Sequence, residues 1–178
     1  MSAVNAFLTH PEDTEYAPFY AGYVSLVPAG DVRGHLGTQL HETIALLSGV
    51  TEDKAERAYA PGKWTLKEVI GHMCDAERVF GYRMLSIGRG DPAALPSFDE
   101  NLWVPASNAN ARTMAALVLE FAAVRASTVQ LSGSLTEEAF LRLGTASGKV
   151  ISVRALAYIC AGHERHHLKI IRERYLNS

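Results

Sequence analysis

Residues 64–80 of the 178-residue chain read WTLKEVIGHMCDAERVF, and this stretch has the pattern of a long helix with one apolar face. Thr65 and Glu68 have the spacing of a capping box, in which each side chain accepts a hydrogen bond from the other residue's backbone amide. Apolar residues recur every three or four positions as far as Ile87, where GRGDPAALP ends the pattern. The sequence therefore predicts a helix that ends near Ile87 and carries His72 on its apolar face.

Residues 157–171 read AYICAGHERHHLKII and predict a second helix with imidazoles on its apolar face. His163 and His167 are spaced i, i+4, so their side chains lie on the same side of a helix. The apolar stripe that runs through them also contains Leu156, Cys160, Ile170 and Ile171. We expect this helix to run from about Val153 to about Tyr175, with both histidines directed into the core.

Two further segments complete the set of long helices. One begins after Asp31, a good N-cap residue, and continues to Gly49. The other lies within residues 111–131, ARTMAALVLEFAAVRASTVQL. Four helices of this length, without alternating strands, predict an all-α protein built as a four-helix bundle.

The remaining segments set the expected domain organisation. We expect a single domain over residues 1–178, in which residues 1–30, rich in proline and aromatic side chains, form an irregular N-terminal wrap and residues 31–176 form the helical bundle. Residues 91–110 read as a long irregular loop, of the kind that often serves as a lid. Residues 142–152, RLGTASGKVIS, read as an extended, hairpin-like connection.

Composition excludes several classes of function. The 17 basic and 19 acidic residues are scattered and give a formal net charge of -2, so no basic stripe is available to bind a nucleic acid. The N-terminus has neither a basic start nor a long apolar run, which predicts a cytoplasmic protein with no membrane contact. With only Cys74 and Cys160, the chain lacks a disulfide framework, and we expect both thiols to be reduced and buried.

The three histidines on apolar faces suggest a metal site. A buried neutral imidazole without partners costs about 1 to 3 kcal/mol for each unsatisfied group, so three of them call for one common explanation. A divalent cation supplies it, because His72, His163 and His167 could close three sides of a site and leave coordination positions open. A single histidine is more often a hydrogen-bonded core or surface residue, and the hypothesis requires the two histidine-bearing helices to be neighbours.

Residues next to the three histidines have alternative roles. Glu164 completes the pattern His-Glu-x-x-His of some metalloproteases, but its rotation on the helix predicts a solvated side chain rather than a general base. His166 is rotated about 100° from its neighbour and is expected at the surface or at a dimer interface. Asp75, and less so Glu77, could orient the imidazole of His72.

Four more side chains, two on the helices and two in the loop, have expected roles. Arg83 returns to nearly the same helical face as His72 and could bind either an anionic substrate or a carboxylate in a buried ion pair. Cys160 is expected to be a small core residue rather than a metal ligand. In the loop, Phe98 and Trp103 are expected to shape the mouth of a pocket.

The chain also resembles the DinB-like (DinB/YfiT) superfamily of metalloenzymes. The resemblance is carried by GKWTLKEVIGH, DAERVFGYR, RGDPAALPSFDE, SVRALAYICAGHERHHLKIIRERYL and EYAPFYAGYVSLVPAGD, which together span nearly the whole sequence. It implies a four-helix bundle of up-down-down-up type, often dimeric, so that a homodimer is expected. It also implies that His72, His163 and His167 are the metal ligands.

The hypotheses for function follow from such a site. The leading one is a divalent-metal-dependent enzyme that acts on a small molecule, with zinc, nickel, iron or manganese equally suited to the imidazoles. Members of the superfamily are associated with reactions that use a low-molecular-weight thiol as cosubstrate, so thiol S-transfer stands slightly ahead of hydrolysis. The alternatives are a non-catalytic, metal-binding or stress-associated scaffold, and an interaction bundle without an ion.

Overall fold

The structure, a computed structural model, describes residues 5–177 and is dominated by four long helices joined by short elements. The helices in chain order are α1 (Ala21–Val24), α2 (Val32–Leu47), α3 (Glu52–Ala55), α4 (Leu66–Gly88), α5 (Glu100–Ala106), α6 (Met114–Gly133), α7 (Glu137–Leu141) and α8 (Val153–Ile170). Strands β1 (Leu143–Ala146) and β2 (Lys149–Ser152) precede α8, which continues as π-helical turns over Ile171–Leu176. The long helices α2, α4, α6 and α8 are the four predicted from the sequence.

Polar side chains fix where each long helix begins. Asp31 accepts a hydrogen bond from the Arg33 amide at the start of α2, and Ser152 accepts one from the Ala155 amide at the start of α8. The predicted capping box of α4 is present, since Thr65 accepts from the Glu68 amide and Glu68 accepts from the Thr65 amide. These caps set the helical register, and with it the side of α4 and α8 on which the histidines lie.

The four long helices pack so that α4 and α8 are neighbours. Helix α4 contacts α6 on one side and α8 on the other, and α2 also contacts both α6 and α8. Apolar side chains from these helices fill two clusters, one centred on α8 and the N-terminal segment and the other on α4, α6 and the end of α8. The adjacency of the two histidine-bearing helices is the condition that the metal hypothesis required.

The loop over residues 91–110 contains more structure than expected. Asp99 accepts a hydrogen bond from the Asn101 amide and starts α5, and a 3-10 turn follows at Ala109–Ala111. The prediction of an irregular loop is therefore wrong for this part, because Asp99 caps a helix too short to show apolar periodicity. The hairpin prediction is confirmed, with β1 antiparallel to β2, and the Leu95 amide donates to the Thr145 carbonyl so that the loop is tied to β1.

Helix α6 is the most apolar of the described helices. It is long enough to cross a membrane, and its mean hydropathy reaches 1.4 over 18 residues, of which a third are buried. It nevertheless contacts α2 and α4, and it buries the charged Arg125 in its middle. These contacts make α6 one of the four helices of the bundle.

The N-terminal segment lies directly against α8, and one glycine permits the contact. A Cβ atom added at Gly162 would stand 2.0 Å from the Tyr23 carbonyl oxygen, a backbone atom. Gly162 immediately precedes His163, so α1 closes over the helix at the candidate site. The wrap expected over residues 1–30 thus has ordered turns where it is described, while residues 1–4 lie outside the described part.

We predict that Gly162→Ala destabilises the protein by about 1 to 3 kcal/mol or more, because the methyl group overlaps backbone that cannot move away as a side chain would. Urea unfolding followed by circular dichroism measures the change. Gly37→Ala is the matched control, since nothing lies within 4 Å of a Cβ there and α2 should gain about 0.5 to 1 kcal/mol. Equal responses of the two variants would contradict a close backbone approach at Gly162.

Candidate metal centre

The structure gathers the three predicted histidines in one place. His72 comes from the second turn of α4, while His163 and His167 lie on successive turns of α8. The Nε2 atom of His163 is 3.1 Å from the Nε2 of His72 and 3.1 Å from the Nε2 of His167. Ligand atoms of all three lie within 4.8 Å of one another, and each side chain is less than one-tenth exposed.

Hydrogen bonding among the rings cannot satisfy this arrangement well. A neutral imidazole nitrogen either donates one hydrogen or offers one lone pair. If the Nε2 of His163 donates, it serves only one neighbour; if it accepts, one lone pair must serve two donors. A cation between the rings would use a lone pair from each, and tetrahedral zinc would place such nitrogens about 3.3 Å apart. The donor set and its spacing therefore fit a divalent metal ion.

Burial keeps the three imidazoles neutral near pH 7. It lowers the pKa of His72, and it lowers that of His163 far below the usual value, with His167 and His72 adding to the effect. Burial also lowers the pKa of His167 to about 3, again reinforced by His72. Neutral rings have free lone pairs, which is the form that coordinates a metal.

We predict that the metal-free protein loses stability as the pH falls below about 6.5, the pKa of histidine in an unfolded chain. Unfolded chains bind protons in that range and the buried rings do not, so stability is complete above pH 6.5 and declines towards the folded pKa values, about 3 for His167. Each neutral ring contributes up to about 1.4 kcal/mol per pH unit. Urea unfolding in the presence of a chelator, at about pH 7.5, 6 and 5, measures how steeply the stability changes with pH.

Measurements above about pH 5 separate the effect of the histidines from that of carboxylates with lowered pKa values, such as Glu15 and Glu120. Protonation of those carboxylates lowers the stability only at more acidic pH. His167→Gln should decline less steeply than the wild type, whereas His41→Gln, on the exposed side of α2, should decline equally. A stability that stays flat between pH 7.5 and about 5 would contradict the buried, neutral rings.

Aromatic rings enclose the imidazoles. The ring centroids of Trp64 and His72 are 5.1 Å apart, and Phe80 meets His163 edge-on at 5.7 Å. Tyr23 from α1 also meets His163 edge-on, at 5.4 Å. These contacts restrict the rotamers of the histidines and exclude water from most of their surface.

A cavity of about 370 Å³ reaches His72 and His163 from one side. Its apolar walls come from the N-terminal segment, α4 and the loop before α5, through Phe19, Tyr20, Tyr23, Phe80 and Phe98. Its size is at the lower end of the range for small-molecule sites. Phe98 lines this cavity as expected, whereas Trp103 does not; the two rings lie tilted against each other with centroids 5.1 Å apart.

Two charged side chains also line this cavity. Arg83 is buried in its wall, and Glu100, at the first position of α5, is half-buried and faces the same space. Burial lowers the pKa of His72, and the carboxylate of Glu100 acts in the opposite direction. Glu100, Tyr20 and Tyr23 were not foreseen as site residues, because only the folding of distant segments brings them beside the histidines.

Glu164 is not solvated, and that expectation was wrong. Its carboxylate is 2% exposed, accepts a hydrogen bond of 2.5 Å from Thr43 on α2 and pairs with Arg125 on α6. Burial raises the pKa of Glu164, and Arg125 opposes that rise. A carboxylate held in this way points away from the three imidazoles and is unsuited to act as their general base.

The other candidate residues near the three histidines are either buried in the core or partly exposed. Glu77 is buried in an ion pair with Arg125, and Asp75 pairs with Arg78, so neither shows a contact with His72 among the described residues. His166 is half-buried and meets Tyr23 edge-on. Cys160 is a buried, free thiol as expected.

Cys74 is also a buried, free thiol, as expected, and its burial raises its pKa to about 12. A thiol with so high a pKa remains protonated and is inert as a nucleophile.

Four packed helices with three clustered imidazoles, two of them in the wall of a cavity, define the class: a helical-bundle protein with a candidate metal centre. Residues 35–171 match the DinB superfamily, and the chain belongs to that family. A protein of Geobacillus thermodenitrificans (strain NG80-2) named "Putative metal-dependent hydrolase" is 29% identical over 129 residues, which cover 69% of this chain and 70% of that protein.

A solved structure shares the fold. YfiT from Bacillus subtilis, described as "a probable metal-dependent hydrolase with an unusual four-helix bundle topology", superposes with a TM-score of 0.71 at 16% identity over 98% of both chains. The prediction of an all-α, DinB/YfiT-like four-helix bundle is thereby confirmed. At this identity the likeness concerns the fold, and the assignment of His72, His163 and His167 as metal ligands stays a prediction.

Proposed function

We propose that this protein is a divalent-metal-dependent enzyme that acts on a small molecule, with His72, His163 and His167 holding the ion. One observation carries the proposal: the Nε2 atom of His163 lies 3.1 Å from those of both other histidines, and His163 and His72 line a cavity of about 370 Å³. Hydrolysis is supported by the names of the two relatives, which both describe metal-dependent hydrolases.

When bound, a divalent cation would lower the pKa of a water molecule or a thiol and polarise a carbonyl group. The side chains around it divide the remaining tasks. The aromatic walls, Tyr20, Phe80 and Phe98 among them, exclude bulk water, and Glu100 offers a carboxylate that can accept a proton inside the cavity. Three protein ligands leave coordination positions for a guest.

Thiol S-transfer is the second candidate, because the same neutral ligand set can activate a thiol as well as water. Glu100, in the cavity wall, would be the acceptor for the thiol proton as for a proton from water. The resemblance to thiol-using members of the superfamily favours this reaction. Hydrolysis and S-transfer therefore share the centre and differ in the nucleophile.

The proposal is tested by metal analysis and ligand exchange. Protein purified without added metal should contain a divalent ion, and cobalt substitution should give a visible spectrum that changes when a thiol or a small anion is added. Turnover of an ester and amide panel, with and without a thiol, then distinguishes hydrolysis from S-transfer.

A cobalt spectrum that ignores both thiol and anion would favour the non-catalytic scaffold. Protein that retains no divalent ion would favour the interaction bundle and overturn the proposal. The homodimer and the cytoplasmic location are further proposals, which sedimentation and cell fractionation test.

A further inference from the structure

Arg83 is a buried cation without a buried anion. Its side chain is 1% exposed, and Nη2 donates to the Pro96 carbonyl oxygen at 2.6 Å and to the Ser147 Oγ at 3.0 Å. Among residues 5–177, no carboxylate lies within 4 Å of the guanidinium, and the Nε atom is buried with no hydrogen-bond partner. The guanidinium forms part of the wall of the cavity that reaches His72 and His163.

The other two buried arginines of the described chain, unlike Arg83, are paired with carboxylates. Arg125 pairs with two carboxylates, those of Glu77 and Glu164, and Arg154 pairs with Glu15. A buried charge that is left unpaired costs several kcal/mol, so a guanidinium without a carboxylate is costly unless a ligand supplies one. Arg83 is the exception among these three, and it is the one that borders the cavity.

The position of Arg83 on α4 directs it towards the candidate metal centre. It follows His72 by 11 residues, about three turns, and therefore lies on nearly the same face. Long side chains on a helix extend back towards its N-terminus, which here is the end that carries His72. The contacts with Pro96 and Ser147 occupy both hydrogens of Nη2, and the Tyr20 side chain is a further hydrogen-bond partner of the guanidinium, whereas Nε is left without one.

The charges in the cavity select the kind of anion. Arg83 contributes one positive charge, and Glu100 places one negative charge in the same space. A carboxylate carries less negative charge than a dianionic phosphate, so it meets less repulsion from Glu100, and it can accept a charge-assisted hydrogen bond from the guanidinium.

We propose that Arg83 binds a carboxylate group of the substrate, so that the substrates are small carboxylic acids whose reacting end lies at the histidine centre. This proposal depends on the proposed function only for the placement of the substrate's reacting end at the metal centre. The anchoring of the carboxylate requires no metal ion. Arg83 is accordingly a specificity-determining residue, and the acid is held by one end while the other is presented to His72, His163 and His167.

Matched acids and amides test the proposal. The probes are the thiol acids from mercaptoacetate to mercaptohexanoate, the primary amide of each, and a mercaptoalkyl phosphonate. Their affinities are measured on cobalt-substituted protein from the visible spectrum and on metal-free protein by ligand-observed NMR. At the chain length that spans the cavity, the acid should bind about 10-fold to 100-fold more tightly than its amide.

Variants assign the preference to Arg83. Arg83→Met should remove it, and Arg83→Lys should keep part of it, since the positive charge remains but the planar guanidinium and its contacts with Pro96 and Ser147 do not. Arg89→Met is the matched control, because Arg89 is exposed at the end of the same helix and its loss changes the net charge equally. A preference that survives in Arg83→Met would mean that the acid chelates the metal instead, and this would overturn the proposal.

The wild-type measurement is decisive even if Arg83→Met fails to fold. Equal affinity for acid and amide at every chain length, in both forms of the protein, overturns the proposal, and tighter binding of the phosphonate overturns the choice of a carboxylate. A preference for acids without any cobalt spectrum would support Arg83 while contradicting the metal centre. A cobalt spectrum that responds equally to thiol acids and thiol amides would support the metal centre and contradict the role of Arg83.

Discussion

His163→Ala is expected to abolish the retention of a divalent metal ion. Its Nε2 atom is the central one of the three, at 3.1 Å from both other Nε2 atoms, so its removal leaves two imidazoles that come from different helices. Loss of a group that merely orients a ligand lowers metal affinity by about 10-fold to 100-fold, and loss of a ligand should exceed that. Metal content after dialysis against a competing chelator measures the effect, and His72→Ala should behave in the same way.

The fold should survive these substitutions. Circular dichroism should give a helical content near that of the wild type, because the caps and the apolar clusters that hold α4 and α8 together do not involve the imidazoles. His166→Ala is the adjacent control and should retain the ion, since its ring lies on another side of α8. Full metal content in His163→Ala, or loss of the ion in His166→Ala, would contradict the proposed ligand set.

Local sequence rules were sufficient for the long helices and for the helical faces on which the histidines lie. The capping box of Thr65 and Glu68 located the start of α4, and spacings of three and four residues oriented His72, His163 and His167. Such rules work because hydrogen bonds at a helix terminus and the 3.6-residue period depend on residues close in sequence. Whether α4 and α8 are neighbours depends on the whole fold, and the resemblance to a known family supplied that information.

Glu164 shows where the same rules fail. Rotation on an amphipathic helix predicts one buried and one solvated face, but residues 153–164 are buried on every side of α8. Helices α2, α4 and the N-terminal segment all contact α8, so the side expected to be solvated meets Thr43 and Arg125 instead. Arg125 lies 39 residues before Glu164, and no local pattern connects them.

Local sequence rules could not predict the residues that line the cavity either. Arg83 was recognised as a residue for an anion or an ion pair, but the choice required the positions of Pro96, Ser147 and every nearby carboxylate. Glu100 was hidden within a segment interpreted as loop. Residues that are far apart in sequence and serve one site carry no shared spacing, so only the assembled fold identifies them.

Arg125→Met is expected to lower the free energy of unfolding by about 3 to 5 kcal/mol, the usual effect of removing one partner from a buried ion pair. Arg125 is fully buried, donates to Glu77 at 2.6 Å and 2.8 Å, and also pairs with Glu164. The variant retains two carboxylates in the core without a cation. Urea unfolding at about pH 7 measures the loss, and Arg112→Met, whose ion pair with Glu120 is partly exposed, should cost less than about 1 kcal/mol.

The pH dependence of Arg125→Met distinguishes lost charge pairing from lost packing. Burial already raises the pKa of Glu164, and removal of Arg125, which opposes that rise, should raise it further. A carboxyl group with a raised folded pKa stabilises the fold below its unfolded pKa and loses that contribution as the pH rises through the folded value. The deficit relative to the wild type should therefore shrink as the pH is lowered from about 7 to about 5, and Glu164→Gln added to Arg125→Met should recover part of it at pH near 7. A deficit that is independent of pH and unaffected by Glu164→Gln would mean that Arg125 stabilises the bundle through packing alone.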